Sequence, residues 1–373
     1  MNMMFSSDYA VSKYSMFAFA LKRLSQKENT MKYRHVLLTR FGEPADVFQM
    51  VEDDLPEPGE GQVRVKILAT GVAYADVMMR HGVYPGAPAL PFTPGYDMVG
   101  EIDAVGPGVT TFSPGQMVTA LTFFGSYSQY ICLSATDLVV VPEGVNPVEA
   151  SCLPLNYFTA YQLLHRIANL KTGQRILVYG AAGGVGTALL QLGTLAGLQV
   201  YGTASASKQE LITQLGATPL DYKKEDVVTR VRSLTGDGVD AVFDGIGGAH
   251  LTQSFQTLRR GGQLISFGLS SIPAGITLTN ALVRFMVPHL LHVTLLSALP
   301  NGKRASMYTL SAQINKKHPK RIQEDLGVLL EMLSQGKIAP IIGKRLPPQE
   351  VATAHELLEH GQVQGKLVLL PNS

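Results

Sequence analysis

Short apolar runs that lead into glycine recur through the middle of the chain. The first, at 175–179, runs into the glycine-rich turn 180–186, and residues 187–193 then place apolar side chains at helical spacing. The runs at 239–243 and 262–267 also lead to glycine, and amphipathic segments lie between them. This alternation predicts an α/β fold with a doubly wound parallel sheet, the Rossmann type of cofactor domain.

The chain before residue 150 has a different pattern, with short alternating strands and many turns. These half-buried strands are predicted at 33–38, 62–68, 98–105 and 117–121. Such strands, nearly without helices, indicate a β-rich, partly barrel-like domain. Helices are predicted at 147–152, 156–169, 322–333 and 351–360, and a closing strand at 365–370. We therefore predict an N-terminal extension over 1–30, this β-rich domain over 31–155 and 301–373, and a cofactor domain over 156–300.

The most apolar later segment, 285–299, contains Pro288 and two histidines. Proline interrupts regular structure, so the segment predicts a buried or interface strand rather than a membrane helix. His289 and His292 are three residues apart without other ligand types nearby, which predicts packed side chains rather than a metal site.

Composition narrows the class of protein. The chain has 373 residues, of which 46% are hydrophobic, and a net charge of +2, which suits two globular domains and argues against a polyanionic partner such as nucleic acid. Two cysteines are too few for a disulfide framework and fit a reducing, cytoplasmic location. Residues 1–30 are rich in serine and basic residues, and their apolar stretch 16–21 is too short to span a membrane. We expect a disordered tail there, with a transit peptide as the alternative.

The glycine-rich turn predicts a dinucleotide site, because backbone N–H groups must approach a pyrophosphate closely at a helix N-terminus. Ala181 stands where the usual first glycine would be. The residues that we expect to contact the cofactor there are Ala182, Gly183, Gly184, Val185 and Gly186.

The residues after the second strand distinguish between the two nicotinamide cofactors. An acidic residue there would bind the adenosine ribose hydroxyls of NADH, but no carboxylate occurs before Glu210. Ser205 and Lys208 can instead bind a 2′-phosphate through hydrogen bonds and charge, so we predict NADPH. Capping of the next helix by Ser205 and Ser207 is an alternative that is compatible with this role.

Several motifs together resemble the medium-chain dehydrogenase/reductase family. They occupy residues 106–118, 153–161, 181–186, 202–208 and 365–369, and the resemblance extends from 31 to 371. Within the family the chain is similar to the zinc-free quinone oxidoreductase branch, including its vesicle amine transport protein-like members. The resemblance implies a GroES-like catalytic domain and a homodimer that uses the apolar run 277–299.

The resemblance also bears on zinc. Zinc-dependent members carry a cysteine where this chain has Ala73, a histidine where it has Tyr96, and a third ligand near Leu155. Only Asp97 could plausibly bind a metal, whereas catalytic zinc needs about three protein ligands. We therefore expect no metal.

Without a Lewis acid, oxidation of simple alcohols is disfavoured, but an electrophilic acceptor can take hydride directly. The protein then needs to position the acceptor and offer a donor to the developing oxyanion. We predict an NADPH-dependent reductase of a quinone or an α,β-unsaturated carbonyl. The catalytic candidates that the resemblance implies are Tyr74, Tyr84 and Asn156, and the further cofactor contacts are Thr159, Tyr222, Phe267, Gly268 and Lys366. Packing of the tyrosines is the alternative for those two residues.

Two features leave other functions open. Asp76 is either an orienting group, a local cap or the partner of Arg80 in an ion pair. The resembling reductases usually carry asparagine where Ala73 stands, which weakens a specific assignment to quinones. An enoyl-thioester reductase and a non-catalytic NADPH-binding or redox-sensing protein are therefore kept as alternatives.

Overall fold

The computed structural model describes residues 31–273, 276–310 and 320–372, so the predicted N-terminal tail lies outside the described residues. The β-rich part comes first among the described residues. The elements of this part are β1 (Lys32–Leu38), α1 (Pro44–Val47), β2 (Phe48–Asp54), β3 (Gln62–Val72), α2 (Tyr74–Arg80), β4 (Asp97–Val105), β5 (Met117–Leu121), β6 (Tyr130–Ser134), a 3-10 turn (Ala135–Asp137) and β7 (Val139–Val140). Buried Val63, Val65 and Ile67 alternate along β3 with half-buried residues, as the sequence pattern predicted.

A nearly continuous helical segment leads from the β-rich part to the cofactor domain. It consists of α3 (Pro147–Ala150), a π-helical turn (Leu153–Tyr157), α4 (Phe158–Tyr161) and a second π-helical stretch (Gln162–Ile167). Asn146 caps it, because its side chain accepts a hydrogen bond of 2.9 Å from the Val148 N–H. The helices predicted at 147–152 and 156–169 are thus confirmed.

The cofactor domain alternates strands and helices. Its elements are β8 (Arg175–Val178), α5 (Gly184–Leu195), β9 (Gln199–Ala204), a 3-10 turn (Ala206–Lys208), α6 (Gln209–Gln214), β10 (Thr218–Asp221), α7 (Val227–Thr235), β11 (Val239–Asp244), α8 (His250–Gln256) and β12 (Leu258–Ser266). These strands are parallel to one another and lie mostly in apolar surroundings. The predicted doubly wound parallel sheet is confirmed.

The apolar run near residue 290 is helical, and our prediction of a strand there was wrong. It comprises α9 (Leu278–Ala281), a π-helical turn (Leu282–Met286) and α10 (Val287–Ala298), which follow one another without a break. Pro288 is the second residue of α10, directly after the wider π-helical turn, where a missing N–H and the proline ring are tolerated. This helix has 21 residues and a mean hydropathy of 1.4, enough by length and composition alone to cross a membrane.

The sheet of the cofactor domain ends with β13 (Arg304–Met307), which pairs with β12. The strand order is β10-β9-β8-β11-β12-β13, so the order reverses between β8 and β11. Ligands bind at such a switch point, outside the carboxyl ends of the strands. The sheet therefore extends beyond residue 300, where we had put the end of this domain.

The C-terminal residues return to the β-rich part and join the sheet that contains β3. They form α11 (Arg321–Ser334), β14 (Ile342–Leu346), a 3-10 turn (Pro348–Glu350), α12 (Val351–Glu359) and β15 (Lys366–Leu369). β15 pairs with β14 and with β3, and this completes a mostly antiparallel sheet of seven strands. One apolar core runs through both parts of the molecule, since Leu38, Val99, Ile176, Ile265 and Leu326 belong to the same buried cluster.

Candidate active site

The glycine-rich loop between β8 and α5 has the form of a phosphate-binding turn. Gly180 has a φ of +68°, in the left-handed region that favours glycine. A methyl group at Gly186 would lie 2.3 Å from the Gly180 carbonyl oxygen, so the loop closes tightly on the helix. Within the described residues no side chain caps α5, which leaves the first-turn N–H groups of Gly184 and Val185 for an anion. The loop thus fits the pyrophosphate of a dinucleotide.

Two segments from other parts of the chain touch this loop. The Asn156 amide from the first π-helical turn lies against Gly184, where an added methyl group would be 2.2 Å from Asn156 Nδ2. On another side the Gly365 N–H donates to the Ala182 carbonyl at 2.8 Å, and Gly365 bridges to Gly183. Three of the predicted contact residues, Ala182, Gly183 and Gly184, are therefore in contact with these two segments.

Two of the predicted 2′-phosphate residues, Ser205 and Tyr222, directly follow the neighbouring strands β9 and β10. Ala204 and Asp221, which precede them, are in register. Tyr222 is 52% exposed, and the Ser205 and Ser207 hydroxyls are 3.4 Å apart. The Ser205 hydroxyl makes no capping hydrogen bond, so it has capacity for a ligand.

Lys208 is engaged elsewhere in this structure. Its ammonium donates to the Gly361 carbonyl at 2.6 Å and to the Val363 carbonyl at 2.7 Å, after α12. Partial burial lowers its pKa. Because an ammonium has three N–H donors, one remains for a phosphate. Its role in binding the 2′-phosphate stays a prediction.

The ends of β11 and β12 form the other half of the groove. A methyl group at Gly268 would lie 2.5 Å from the Gly245 carbonyl oxygen, and the Phe267 ring covers Gly245. Asp244 shapes the turn, since its carboxylate accepts the N–H groups of Ile246 and Gly247 at 2.7 and 3.0 Å. Burial opposes ionisation of Asp244, yet bonds from His250, Ser254 and the backbone hold its pKa below the ordinary value.

The histidines of the apolar helix are packed as predicted. His289 is buried, its Nδ1 accepts the Gly248 N–H at 3.2 Å, and its Nε2 faces the Ser266 hydroxyl at 3.1 Å. Burial lowers its pKa, which suits the neutral ring that can accept at Nδ1. His292 Nε2 is 3.0 Å from the Thr252 hydroxyl.

Helix α2 reaches this half of the groove from the β-rich part. The Tyr74 hydroxyl donates to the Ser270 carbonyl at 3.2 Å, two residues after Gly268. Val83 and Ile272 belong to one apolar cluster beneath this contact. Tyr74 thus holds α2 against the loop after β12, beside the residues that the family resemblance implies as contacts of the nicotinamide.

Two tyrosine hydroxyls are paired, and a third tyrosine lies in their neighbourhood. The Tyr84 and Tyr96 hydroxyls are 2.7 Å apart, and the Tyr308 hydroxyl is near enough to Tyr96 to raise its pKa further, after burial. Burial raises the pKa of Tyr84 and Tyr308 as well, and the neighbouring Thr159 hydroxyl partly offsets the rise at Tyr308. All three phenols therefore remain protonated donors at neutral pH. The buried Tyr308 hydroxyl has no hydrogen-bond partner in the described part of the chain.

Sequence reasoning did not select Tyr96 or Tyr308 as functional residues. Tyr96 entered only as a position without a zinc ligand, and Tyr308 directly follows β13, a strand that the pattern did not predict. The Tyr308 N–H donates to the Ser266 carbonyl at 2.8 Å, which fixes the tyrosine beside the end of β12. Recognition of β13 would have been the available signal.

Lys366 and Asp97 form a buried ion pair. The two side chains are 1% and 0% exposed, and Asp97 also accepts the Gly71 N–H at 2.8 Å. Gly71 is required there, because a methyl group at Gly71 would overlap the Lys366 side chain. The Lys366 ammonium is thus turned toward Asp97, although its strand begins at the glycine-rich loop.

Asp76 is a cap rather than the partner of Arg80. Its carboxylate accepts the N–H groups of Ala73 at 2.9 Å and Gly95 at 3.1 Å, whereas Arg80 pairs with Glu359. Burial raises the pKa of Asp76 to about 7. Across the described residues, no three His, Cys, Asp or Glu side chains are grouped to hold a metal.

A Rossmann-type domain with a glycine-rich anion site, closed by a GroES-like domain, defines a nicotinamide-dependent oxidoreductase of two domains. Two family models match the chain: the alcohol dehydrogenase GroES-like domain at residues 59–143 and the zinc-binding dehydrogenase at residues 215–369.

Individual relatives cover most of the chain. The synaptic vesicle membrane protein VAT-1 homolog of Danio rerio is 33% identical over 345 residues, 92% of this chain and 71% of the relative. The quinone oxidoreductase of Mus musculus is 30% identical over 345 residues, 90% of this chain and 97% of the relative. The crystal structure of Escherichia coli quinone oxidoreductase with NADPH is 27% identical, with a TM-score of 0.78 and coverage of 91% and 100%.

The chain belongs to the medium-chain dehydrogenase/reductase family, in its zinc-free quinone oxidoreductase branch. It is an NADPH-dependent oxidoreductase, and the fit of the glycine-rich loop to a pyrophosphate agrees with that cofactor.

Proposed function

We propose that the protein reduces a quinone or an α,β-unsaturated carbonyl compound with NADPH, without a metal, in the groove between its two domains. The observation that carries the proposal is the pair of protonated hydroxyls formed by Tyr84 and Tyr96, with Tyr308 in their neighbourhood. NADPH, when bound, supplies the hydride. The chain itself supplies position and hydrogen-bond donors.

We assign the Tyr84 hydroxyl as the donor to the acceptor, because Tyr84 is half-buried whereas Tyr96 is buried. As negative charge develops on the carbonyl oxygen of the acceptor, the Tyr84 O–H can donate to it. Tyr96 can in turn donate to the Tyr84 oxygen, since the two oxygens are 2.7 Å apart. The raised pKa values keep the protons on the phenols, so the proton that completes the reduction comes from water.

The positions that hold zinc in other members support this assignment. Ala73 and Leu155 offer no ligand atoms, and the Tyr96 hydroxyl is paired with Tyr84. Asp97 is neutralised by Lys366. A preformed set of hydroxyl donors suits an acceptor that is already electrophilic.

The test is oxidation of NADPH, followed at the nicotinamide absorbance, against ortho- and para-quinones, 2-alkenals and enoyl thioesters. NADH and a chelator serve as controls. We expect chelator-insensitive turnover that prefers NADPH. Faster turnover of enoyl thioesters would favour that alternative, and tight NADPH binding without turnover would favour a binding protein.

A variant of Tyr84 tests its donor role directly. Tyr84→Phe should lower kcat/KM roughly 10–100-fold, the usual loss when an oxyanion donor is removed, without a change in NADPH affinity. Tyr33→Phe, in β1, is the matched control and should leave kcat/KM unchanged. Wild-type activity in Tyr84→Phe would remove the donor role.

The homodimer and the cytoplasmic location belong to the same proposal. They rest on the resemblance and on cysteine usage, and sedimentation equilibrium and cell fractionation test them.

A further inference from the structure

Asp76 links the two stretches of chain that carry the candidate donor hydroxyls. One carboxylate oxygen accepts the Ala73 N–H at 2.9 Å, directly before Tyr74, and the other accepts the Gly95 N–H at 3.1 Å, directly before Tyr96. The side chain is 0% exposed, so both hydrogen bonds form in surroundings of low dielectric, where they are stronger than in water. One buried carboxylate therefore fixes the start of α2 relative to the residues that precede β4.

The backbone at Gly95 is also held from its other side. Its φ of +110° lies in the left-handed region, and a methyl group there would lie 2.3 Å from Ser126 Oγ. The Gly95 carbonyl accepts the Thr122 hydroxyl at 2.8 Å. The peptide before Tyr96 is thus clamped between Asp76 and the neighbouring loop.

This clamped peptide directs the Tyr96 hydroxyl to Tyr84. The two hydroxyl oxygens are 2.7 Å apart, and the two rings meet edge to face with their centroids 6.1 Å apart. Tyr84 lies shortly after α2, the helix whose start Asp76 caps. A shift of either stretch would change the contact between the two hydroxyls, so the position of the proposed donor depends on Asp76.

The charged groups near Asp76 are themselves paired or neutral. Asp97 of β4 is paired with Lys366 of β15. Burial lowers the pKa of His355 of α12 to about 3, and its ring packs edge-on against Tyr127, whose hydroxyl is close to Asp76. The titratable side chains in this cluster and at the end of α2 are Arg80, His81, Tyr84, Tyr96, Asp97, Tyr127, His355 and Glu359.

Protonation would alter the contacts of Asp76. Burial raises the pKa of its carboxyl to about 7, against the opposing hydrogen bond from Ala73. A neutral carboxyl group carries an O–H in place of one acceptor oxygen, so it cannot accept both N–H groups as the carboxylate does. The stability that the protonated form contributes is greatest at low pH, whereas the two-sided contact requires the carboxylate. Stability and activity should therefore change with pH in opposite directions.

We propose that Asp76 is a positioning residue for reduction of the acceptor: its carboxylate fixes Tyr96, and through Tyr96 the Tyr84 hydroxyl that donates to the developing oxyanion. The role rests on the proposed reductase function. Because the Asp76 side chain is fully buried, it acts through the two tyrosines and touches neither the cofactor nor the acceptor.

The experiment measures kcat/KM for the acceptor that the wild type reduces fastest, and the Kd of NADPH, between about pH 6 and about pH 8. The variants are Asp76→Asn, Tyr84→Phe and the two combined. Asparagine keeps one oxygen for an N–H and carries no charge. Asp240→Asn is the matched control, since Asp240 is also buried and accepts the Arg175 N–H at 2.8 Å, but at the amino end of β11, away from the groove.

We expect kcat/KM of the wild type to fall as pH falls through about 7, while its free energy of unfolding rises. Asp76→Asn should lower kcat/KM roughly tenfold at the upper end of this pH range and remove the pH dependence, with the Kd of NADPH within about twofold of the wild type. In the Tyr84→Phe background the same change should cost less than about twofold, because the hydroxyl that Asp76 positions is already gone.

A full tenfold loss on top of Tyr84→Phe, or the same loss in Asp240→Asn, overturns the positioning role. So does a pH profile that persists in Asp76→Asn, which would belong to another group such as His81. Absence of turnover in the wild type would instead refute the proposed function.

Amide hydrogen exchange gives a readout that does not depend on turnover. Residues 72–76 and 93–97 should exchange at least roughly tenfold faster in Asp76→Asn than in the wild type at the same pH, and Asp240→Asn should leave both segments unchanged. Equal exchange in Asp76→Asn and the wild type would show that Asp76 does not hold these segments.

Discussion

Replacing Lys366 by methionine isolates the energy of the buried Asp97–Lys366 pair. Both side chains are almost fully buried, so the variant leaves a carboxylate in the core whose one remaining partner among the described residues is the Gly71 N–H. Breaking such a pair from one side costs about 3–5 kcal/mol. We expect Lys366→Met to lower the free energy of unfolding by that amount. Lys344→Met, on the exposed β14, should stay within about 0.5 kcal/mol of the wild type.

The double variant Asp97→Asn/Lys366→Met sharpens the argument. Asparagine keeps an oxygen for the Gly71 N–H and carries no charge, so we expect a loss of only about 1–2 kcal/mol, from one unpaired amide N–H. Urea unfolding, followed by fluorescence and circular dichroism together, measures both variants. If the double variant lost as much stability as Lys366→Met and the single variant Asp97→Asn added together, the pairing of these side chains would not be the source of the effect.

The same variant decides whether Lys366 touches the cofactor. Because the ammonium is held by Asp97, Lys366→Met should bind NADPH within about twofold of the wild type once folded protein is compared. A loss of more than about tenfold would restore the cofactor contact that the resemblance implies.

Three further predictions follow from single positions. Gly186→Ala should weaken NADPH binding by more than roughly tenfold, since its methyl group would lie 2.3 Å from the Gly180 carbonyl, and fluorescence titration measures this; unchanged affinity would contradict the tight loop. Ser205→Asp should reverse the preference from NADPH to NADH, as seen in kcat/KM for both, because a carboxylate repels a 2′-phosphate; an unchanged ratio would refute that site. Asp76 has a pKa of about 7 against 3.8 ordinarily, so the stability that its protonated form contributes below pH 3.8 is lost as pH rises through 7, about 4 kcal/mol in all. Asp76→Asn should reduce the fall of the free energy of unfolding with pH, measured by urea unfolding across that range. An equally steep fall in the variant would contradict this prediction.

The fold could largely be predicted because its signals are local. The strands β8 and β11 each appear in the sequence as a short apolar run before a turn, and the structure forms them within a residue of the expected ends. The helix over 278–298 could not be predicted this way. Pro288 indicated an interruption, while the π-helical turn that accommodates it depends on packing that a sequence pattern does not contain.

The candidate site divides in the same manner. The glycine-rich loop and Ser205 lie on single stretches of chain, so spacing alone was enough to select them. The set of tyrosines Tyr84, Tyr96 and Tyr308 spans more than two hundred residues of sequence, and it depends on how two domains pack. Lys208 and Lys366 could be selected by type, but their partners Val363 and Asp97 come from distant segments.

The contact between Gly365 and the glycine-rich loop has a consequence for the order of biosynthesis. The Gly365 N–H donates to the Ala182 carbonyl, and β15 then joins the sheet formed by the first hundred residues. Residue 365 is synthesised long after residue 182. The cofactor domain can therefore be translated and folded earlier, but its phosphate loop gains this wall only when residues 365–369 have left the ribosome, so a nascent chain that ends before them lacks a complete nucleotide site.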